Sequence, residues 1–380
     1  MKAIGIIAEY NPFHNGHLYH IQKIKEKYQD YPIVLVMTGN FTERGDVSVI
    51  DKWARTEIAL NHGIDLVIEL PYPFATQSAD YFAYGGITLL EELQVEKIIF
   101  GSESNDLDSI KTIAEVQIEN DEFDKLVKIY SKLGKNYPTA LSCAVKDLTG
   151  KEIIAPNDLL GISYLKTIIK NNYKIEAECI QRTNEYHNKE LTNNISSGTA
   201  IREALKNNNS IIDQIPKDTI SYYNSIHTID DYFDILKYKI ITEKDLSKYQ
   251  LVEEGIEQTL KREITKAINY DDYIKRIKSK RYTYNKISRM LLHILCNFTK
   301  DKANQWKKPE YIRILGFNNK GRKYLNNVKK ELTIPLISKI TKNKNCMLEF
   351  EIETTNIYNI KKNSNQKEED KIIIKGEEYD

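Results

Sequence analysis

Four short apolar runs rich in Ile and Val, at residues 3–8, 33–37, 66–70 and 97–100, confine the first third of this chain to very few folds. Each is followed by loop residues and then by amphipathic sequence at helical spacing, the signature of strands that alternate with helices. Such strands pair in parallel and are covered on both faces, which predicts an α/β, Rossmann-like domain. Local end signals support the helices: Asp51 is placed to cap the one through Trp53 and Ala59, and Gly63 to stop it after His62. Residues 106–148 read as a helical insertion. The alternation then resumes with a helix near 158–169, a strand near 173–180 and a helix over 199–206. After the asparagine run 207–209, helical periodicity takes over. The predicted organisation is an α/β domain over 1–206, a mainly helical domain over 207–362 and a charged tail over 363–380. Within the helical domain the alternating stretch 347–352 is expected to add a strand. The tail has little to bury beyond 372–374 and is expected to be disordered otherwise.

The 380 residues, 41% hydrophobic and 29% charged, exclude collagen-like, disordered and disulfide-scaffold classes. No apolar run approaches the roughly 18 residues that cross a bilayer. The run at 3–8 is cut off by Glu9, too short for a secretory signal core, so a cytoplasmic protein without membrane contact is expected. Cys143, Cys179, Cys296 and Cys346 show no metal-ligand spacing and read as buried thiols. The formal net charge of +1 hides a segregation. Residues 275–344 hold 20 Lys and Arg against three acids, a net of +17, whereas residues 1–274 carry −12 and the last 36 residues −4. This basic block is interleaved with Tyr282, Tyr284, Trp306, Tyr311, Phe317 and Tyr324, the footprint of a nucleic-acid partner. The cations expected to position its phosphates are Arg276, Lys280, Arg281, Arg289, Arg313, Lys320, Arg322 and Lys323.

Directly after the first run stands Ala8-Glu9-Tyr10-Asn11-Pro12-Phe13-His14-Asn15-Gly16-His17. A helix that starts near Asn15 presents unpaired N–H groups and a positive dipole end, which suits anions. His14 and His17 are three apart, so both imidazoles can face one phosphate, and Gly16 leaves the backbone approachable. Two such donors can neutralise charge that builds on an α-phosphate under in-line attack.

This H-x-G-H arrangement resembles the signature of the nucleotidyltransferase superfamily, whose adenylate-forming logic is shared with class I aminoacyl-tRNA synthetases. The wider chain resembles the bacterial tRNA(Met) cytidine acetate ligase family. The likeness is carried by Glu9 to His17, by Gly39-Asn40-Phe41-Thr42-Glu43-Arg44-Gly45, Lys52-Trp53-Ala54-Arg55, Asp65-Leu66-Val67-Ile68-Glu69-Leu70-Pro71 and Phe100-Gly101-Ser102-Glu103. It continues in Pro156-Asn157-Asp158-Leu159-Leu160-Gly161, Gln181-Arg182-Thr183, Ser196-Ser197-Gly198-Thr199-Ala200-Ile201-Arg202 and Ile312-Arg313-Ile314-Leu315-Gly316-Phe317. The resemblance covers residues 1–360 and implies a ligase that uses ATP to activate acetate as acetyl-adenylate. The acetyl group would then pass to N4 of the wobble cytidine of elongator tRNA(Met). It further implies catalytic roles for His14 and His17. ATP contacts are implied along Ile7, Ala8, Glu9, Tyr10, Asn11, Pro12, Phe13, His14, Asn15, Gly16, His17, Leu18, Tyr19 and His20, and at Gly101, Asn157 and Arg182.

Ser197, Thr199 and Arg202 resemble a second superfamily signature for the β- and γ-phosphates, with Gly198 inserted relative to its shorter form. The same stretch also reads as an ordinary helix cap, the lesser of the two readings, and both can hold at once. Lys52 and Arg55 share a helix face and are expected to reach pyrophosphate or RNA, or to make a surface salt bridge. Magnesium is expected with the nucleotide phosphates, and Glu9, Asp80 and Glu103 are not assigned as ligands. By residue pattern alone His20, His62, His187, His227 and His293 read as packed or surface residues. No protein partner is implied. Two other functions fit parts of the pattern: a small-molecule adenylyltransferase using the same His pair, and a non-enzymatic RNA-binding protein.

Overall fold

β1 (Ile4–Ala8), β2 (Ile33–Thr38), β3 (Leu66–Leu70), β4 (Lys97–Ser102) and β5 (Glu176–Gln181) pair in parallel in the order β5-β4-β1-β2-β3. The structure is a computed structural model that describes residues 1–135, 137–151, 155–182, 196–279, 282–340, 345–361 and 372–376. Every residue of β2 and β3 is buried. Successive side chains go to opposite faces: Val34 and Val36 join one core, while Ile33, Leu35 and Met37 join the other. Helices cover both faces, as continuous apolar strands require. The helix Lys52–Asn61 begins as expected, with Asp51 Oδ1 accepting the N–H groups of Trp53 and Ala54 at 2.9 Å each. The insertion forms three helices, Leu107–Glu119, Asp121–Lys132 and Tyr137–Thr149.

The strand order reverses direction between β1 and β4, and in open sheets of this kind ligands bind beyond the carboxyl ends of the strands at that switch point. The tight sequence from Glu9 to His17 leaves β1 there, and Gly101 lies near the end of β4.

The chain beyond residue 207 is mainly helical, including Phe233–Thr242, Ile256–Ile264, Tyr270–Ile277 and Tyr284–Leu295, yet it also extends the sheet. β6 (Ile312–Asn318) lies antiparallel to β3, with Ile68 opposite Ile314 and Glu69 opposite Arg313. Two further short strands, β7 (Leu336–Ile337) and β8 (Ile373–Lys375), run parallel to β6. β8 is the apolar patch of the tail, most of which lies outside the described residues. The expected strand at 347–352 is instead part of the helix Cys346–Asn359, capped by Asn345, whose side chain accepts from Leu348 N–H. It buries Met347, Leu348, Phe350, Glu351, Thr354, Thr355 and Tyr358, a helical spacing that a two-residue alternation cannot satisfy. Of the cysteines only Cys296 is buried; Cys346 is exposed.

One glycine ties the helical region to the sheet. Gly45, in the loop after β2, has φ +80°, and a Cβ there would fall 2.2 Å from the backbone nitrogen of Arg289. The loop therefore rests directly on the helix Tyr284–Leu295. Among the described residues no helix is long and apolar enough to cross a membrane.

Candidate active site

His14 caps the helix Asn15–Lys27, and the two histidines tie its first turn together. His14 Nδ1 accepts the Gly16 N–H at 3.1 Å, and His17 Nδ1 accepts the His14 N–H at 3.3 Å. The rings stack with centroids 3.7 Å apart and planes 22° from parallel. Burial, ahead of the neighbouring Arg182 and Arg202 cations, pushes His14 down to about 3. Burial acts likewise on His17, followed by His14, Arg182 and His20, and holds it well below the usual imidazole range. Both rings are therefore neutral at pH 7. With each Nδ1 serving as acceptor, the single proton of each ring sits on Nε2 as a donor.

The same burial makes folding sensitive to acid. His293, packed against Tyr72 and Phe298, is also pushed down to about 3 by burial and then by Arg289. Below pH 6.5 the unfolded chain takes up protons that these buried rings refuse, so stability falls as the pH is lowered through that value. Each such ring is expected to cost about 2 kcal/mol at pH 5 relative to pH 7.5. Urea unfolding of His293→Phe at both pH values checks it: the substitution should shrink the difference by about that amount.

A cleft of about 1110 Å³ opens beyond β1 and β4, lined by residues of both and by His14, His17 and His20. At its β4 side, Asn157 donates to Glu103 Oε1 at 2.6 Å, and Arg182 Nε stands 4.0 Å from the same oxygen. Asp158 fixes this loop by accepting from the Ser102 hydroxyl and from the N–H groups of Glu103 and Ser104 at 3.1 and 3.0 Å. On the opposite side the helix Gly198–Lys206 presents its first turn. Arg202 donates to Asn11 O at 2.6 Å and to Thr199 Oγ1 at 3.1 Å. At Gly198 a Cβ would lie 3.3 Å from Arg202 Nη1, 3.6 Å from Asn11 O and 3.8 Å from His14 Nε2, so the two helix starts stand close together there. Ser197 caps the helix Gly198–Lys206, accepting from Ala200 N–H at 3.1 Å. Among the described residues, four that line the cleft carry buried polar atoms without hydrogen-bond partners: Tyr10 Oη, His20 Nε2, Arg182 Nε and Arg289 Nε. Folded chains seldom leave such atoms unpaired, and four around one cavity suit a polar ligand.

A family model described as HIGH nucleotidyl transferase matches residues 1–371. The tRNA(Met) cytidine acetate ligase of Geobacillus sp. WCH70 is 42% identical over 90% of both chains. That of Bacillus subtilis 168 is 36% identical over 95% of this chain and 92% of its own. This chain belongs to the tRNA(Met) cytidine acetate ligase family. The crystal structure of apo Thermotoga maritima TmcAL superposes with a TM-score of 0.89 at 30% identity, covering 95% of each chain. A second structure of that protein, bound to alpha-thio ATP, gives 0.86 over the same coverage.

In this member of the family the cleft gathers most of the residues expected to meet the nucleotide. Ile7, Ala8, Glu9, Tyr10, Asn11, His14, Gly16, His17, Tyr19, His20, Gly101, Asn157, Arg182, Thr199 and Arg202 all line it. Pro12, Phe13, Asn15, Leu18 and Ser197 do not. Phe13 packs in the core against Tyr10, and Asn15 turns outward to donate to Asp213 O. The basic set divides further. Arg322 and Lys323 are exposed, Arg276 is paired with Asp272 at 2.9 Å, and Lys320 donates to Gln29 O at 3.1 Å. Arg289 lines the cleft, bound to Glu43 Oε1 at 2.6 Å. Arg313 is fully buried in β6, donating to Ser338 O and facing the Trp53 ring, so it cannot serve a phosphate at the surface. Lys280 and Arg281 lie outside the described residues, as do Thr183 and His187. Lys52 and Arg55 are equally buried. Lys52 pairs with Glu69 at 2.6 Å, and Arg55 donates to Glu9 O at 2.6 Å and to Gly39 O, which rules out contact with pyrophosphate or RNA. The sequence motif around Glu43 flagged no role for that carboxylate.

Proposed function

We propose that this chain activates acetate with ATP as acetyl-adenylate, releasing pyrophosphate, and passes the acetyl group to N4 of the wobble cytidine of elongator tRNA(Met). The observation that carries this reading is the neutral, stacked His14–His17 pair at a helix N-terminus, with both Nε2–H donors available beside the switch point of the sheet. When an acetate oxygen attacks the α-phosphorus, the added charge on the phosphate oxygens meets N–H donors, a helix dipole and the Arg182 and Arg202 guanidiniums. Neutral imidazoles give this stabilisation without a proton having to be taken up first. Magnesium would accompany the nucleotide phosphates and offset their charge, and no residue of the chain is assigned to hold it. The relatives named as ligases and the neighbour bound to alpha-thio ATP support the choice of reaction and nucleotide.

The deciding experiment incubates the chain with radiolabelled acetate, ATP and bulk tRNA. Label in tRNA(Met) is the expected result. Pyrophosphate release that needs some other acceptor favours the small-molecule adenylyltransferase, and RNA binding without ATP turnover defeats both enzymatic readings. The RNA-facing role of the exposed cations is checked separately. Arg322→Ala with Lys323→Ala is expected to weaken tRNA binding and to reduce the slope of log affinity against log salt by about 2. An unaltered slope removes this pair from the contact set.

A further inference from the structure

Forming an amide at cytidine N4 releases a proton, and the cleft holds one carboxylate suited to take it. Three carboxylates line the cleft among the described residues: Glu9, Glu43 and Asp80. Asp80 accepts from Ser163 Oγ at 2.8 Å and Lys166 Nζ at 3.0 Å. Glu9 Oε1 accepts the Glu43 N–H at 2.7 Å, which leaves its Oε2 as open as that of Glu43, but Glu9 directly follows β1 in the stretch expected to hold the nucleotide. Glu43 gives Oε1 to Arg289 Nη1 at 2.6 Å, and no hydrogen bond from the described residues reaches its Oε2. His14 and His17 do not compete, because each Nδ1 is occupied as an acceptor and each Nε2 already carries the proton.

The placement of Glu43 suits a second substrate rather than the nucleotide. Its loop is held from one side by Glu9 at the end of β1 and from the other by Gly45 resting on the backbone of Ser288 and Arg289. Arg289 also donates to Glu43 O and Gln77 O at 3.2 Å each, fixing the guanidinium behind the carboxylate. The start of the same helix lines the cleft through Thr283, Tyr284 and Asn285. The carboxylate thus stands where the sheet layer and the basic region share a wall, which is where a nucleotide of RNA held by that region would enter.

We propose that Glu43 is the base that accepts the proton from cytidine N4 in the transfer step, an assignment that rests on the function proposed above. N4 attacks the acetyl carbonyl carbon and the N–C bond forms. The C–O bond to AMP breaks, its electron pair leaving with the phosphate oxygen. One N4 proton passes to Glu43 Oε2 and from there to solvent. Burial raises the Glu43 carboxyl above the usual carboxylate range, opposed by Arg289, reinforced by Glu9 and opposed again by Arg44. A raised carboxyl is better matched to accepting a proton near neutral pH.

The test loads the full chain with ATP and labelled acetate, mixes it with tRNA and follows acetyl transfer in a single turnover across pH, with acetate-dependent ATP–pyrophosphate exchange measured in parallel. For Glu43→Gln, transfer is expected to slow about 10²-fold relative to exchange, so that acetyl-adenylate accumulates, and the rise of the transfer rate with pH is expected to vanish. Glu43→Asp keeps a carboxylate and is expected to transfer more slowly with the pH limb displaced. Transfer by Glu43→Gln within about threefold of the unaltered chain overturns the assignment, as does a loss of exchange and transfer in equal proportion. Should Glu43→Gln not fold, a pH limb of Glu43→Asp that is not displaced overturns it instead. An unaltered chain that exchanges pyrophosphate with acetate but labels no RNA defeats the underlying reading, and the assignment falls with it.

Discussion

Replacing His17 by alanine is expected to lower acetate-dependent ATP–pyrophosphate exchange about 10²–10³-fold, with tRNA affinity held within about twofold. The magnitude follows from removing one preorganised donor at a site where charge develops. His17 does more than donate. Its Nδ1 accepts the His14 N–H, and its ring is stacked on that of His14 at 3.7 Å, so alanine also frees the His14 ring to turn. The lost cap costs about 1 kcal/mol of helix stability, which is small beside the stability of a domain, so the chain should remain folded. The effect on exchange and the constancy of RNA binding separate because the exposed cations Arg322 and Lys323 belong to the basic block, outside the residues that line the cleft. Exchange assays and filter binding on the same preparation decide the matter. Exchange retained within tenfold would remove His17 from the chemistry, and a parallel loss of RNA affinity would mean that the imidazole pair and the RNA share one surface.

What the sequence disclosed about this site and what it withheld have a common physical origin. The strand, the turn and the H-x-G-H cap lie within 20 residues of one another, and their geometry is set by local rules of apolar spacing and helix ends. Those parts were legible. Lys52 and Arg55 were not, because spacing of three on a helix states that two residues share a face but not which face is buried. Their partners are Glu69, 17 residues from Lys52, and the Glu9 carbonyl, 46 residues from Arg55. β6 escaped notice for a related reason. Arg313 stands inside an apolar strand within the most basic stretch of the chain, so charge outweighed the signal of Ile312, Ile314 and Leu315. Its guanidinium is accommodated by partners distant in sequence, among them the Trp53 ring and the Ser338 carbonyl. Glu43 shows the limit most sharply. The motif Gly39 to Gly45 was visible, but its carboxylate acquires a position only through Arg289, 246 residues away.

The buried Lys52–Glu69 pair carries the other large expectation. Lys52 is 0% exposed and Glu69 1%, with Nζ and Oε1 2.6 Å apart. Their surroundings hold a second carboxylate: a Cβ on Gly39 would lie 2.9 Å from both Glu69 Oε1 and Glu351 Oε1, while Glu351 Oε2 accepts the Tyr72 N–H at 2.7 Å. Substituting Lys52→Met keeps a long unbranched side chain but leaves carboxylates in the interior without that ammonium. Breaking one half of a buried pair in this way costs about 3–5 kcal/mol, because the remaining charge is neither solvated nor neutralised. Changing both, Lys52→Met with Glu69→Leu, is expected to recover most of the loss, since a buried ion pair barely repays its own desolvation. Urea unfolding of the two single variants and the double variant completes the cycle, and a strong coupling energy is expected between the two positions. A Lys52→Met chain within about 1 kcal/mol of the unaltered one would mean that the interior there is wetter than 0% exposure implies. The consequence reaches the cleft. Lys52 N–H is fixed by Asn40 Oδ1 at 2.9 Å, and Arg55, one turn further on, holds the Glu9 carbonyl. The charges that sequence spacing suggested for phosphate binding instead form the floor under the loop that presents Glu43.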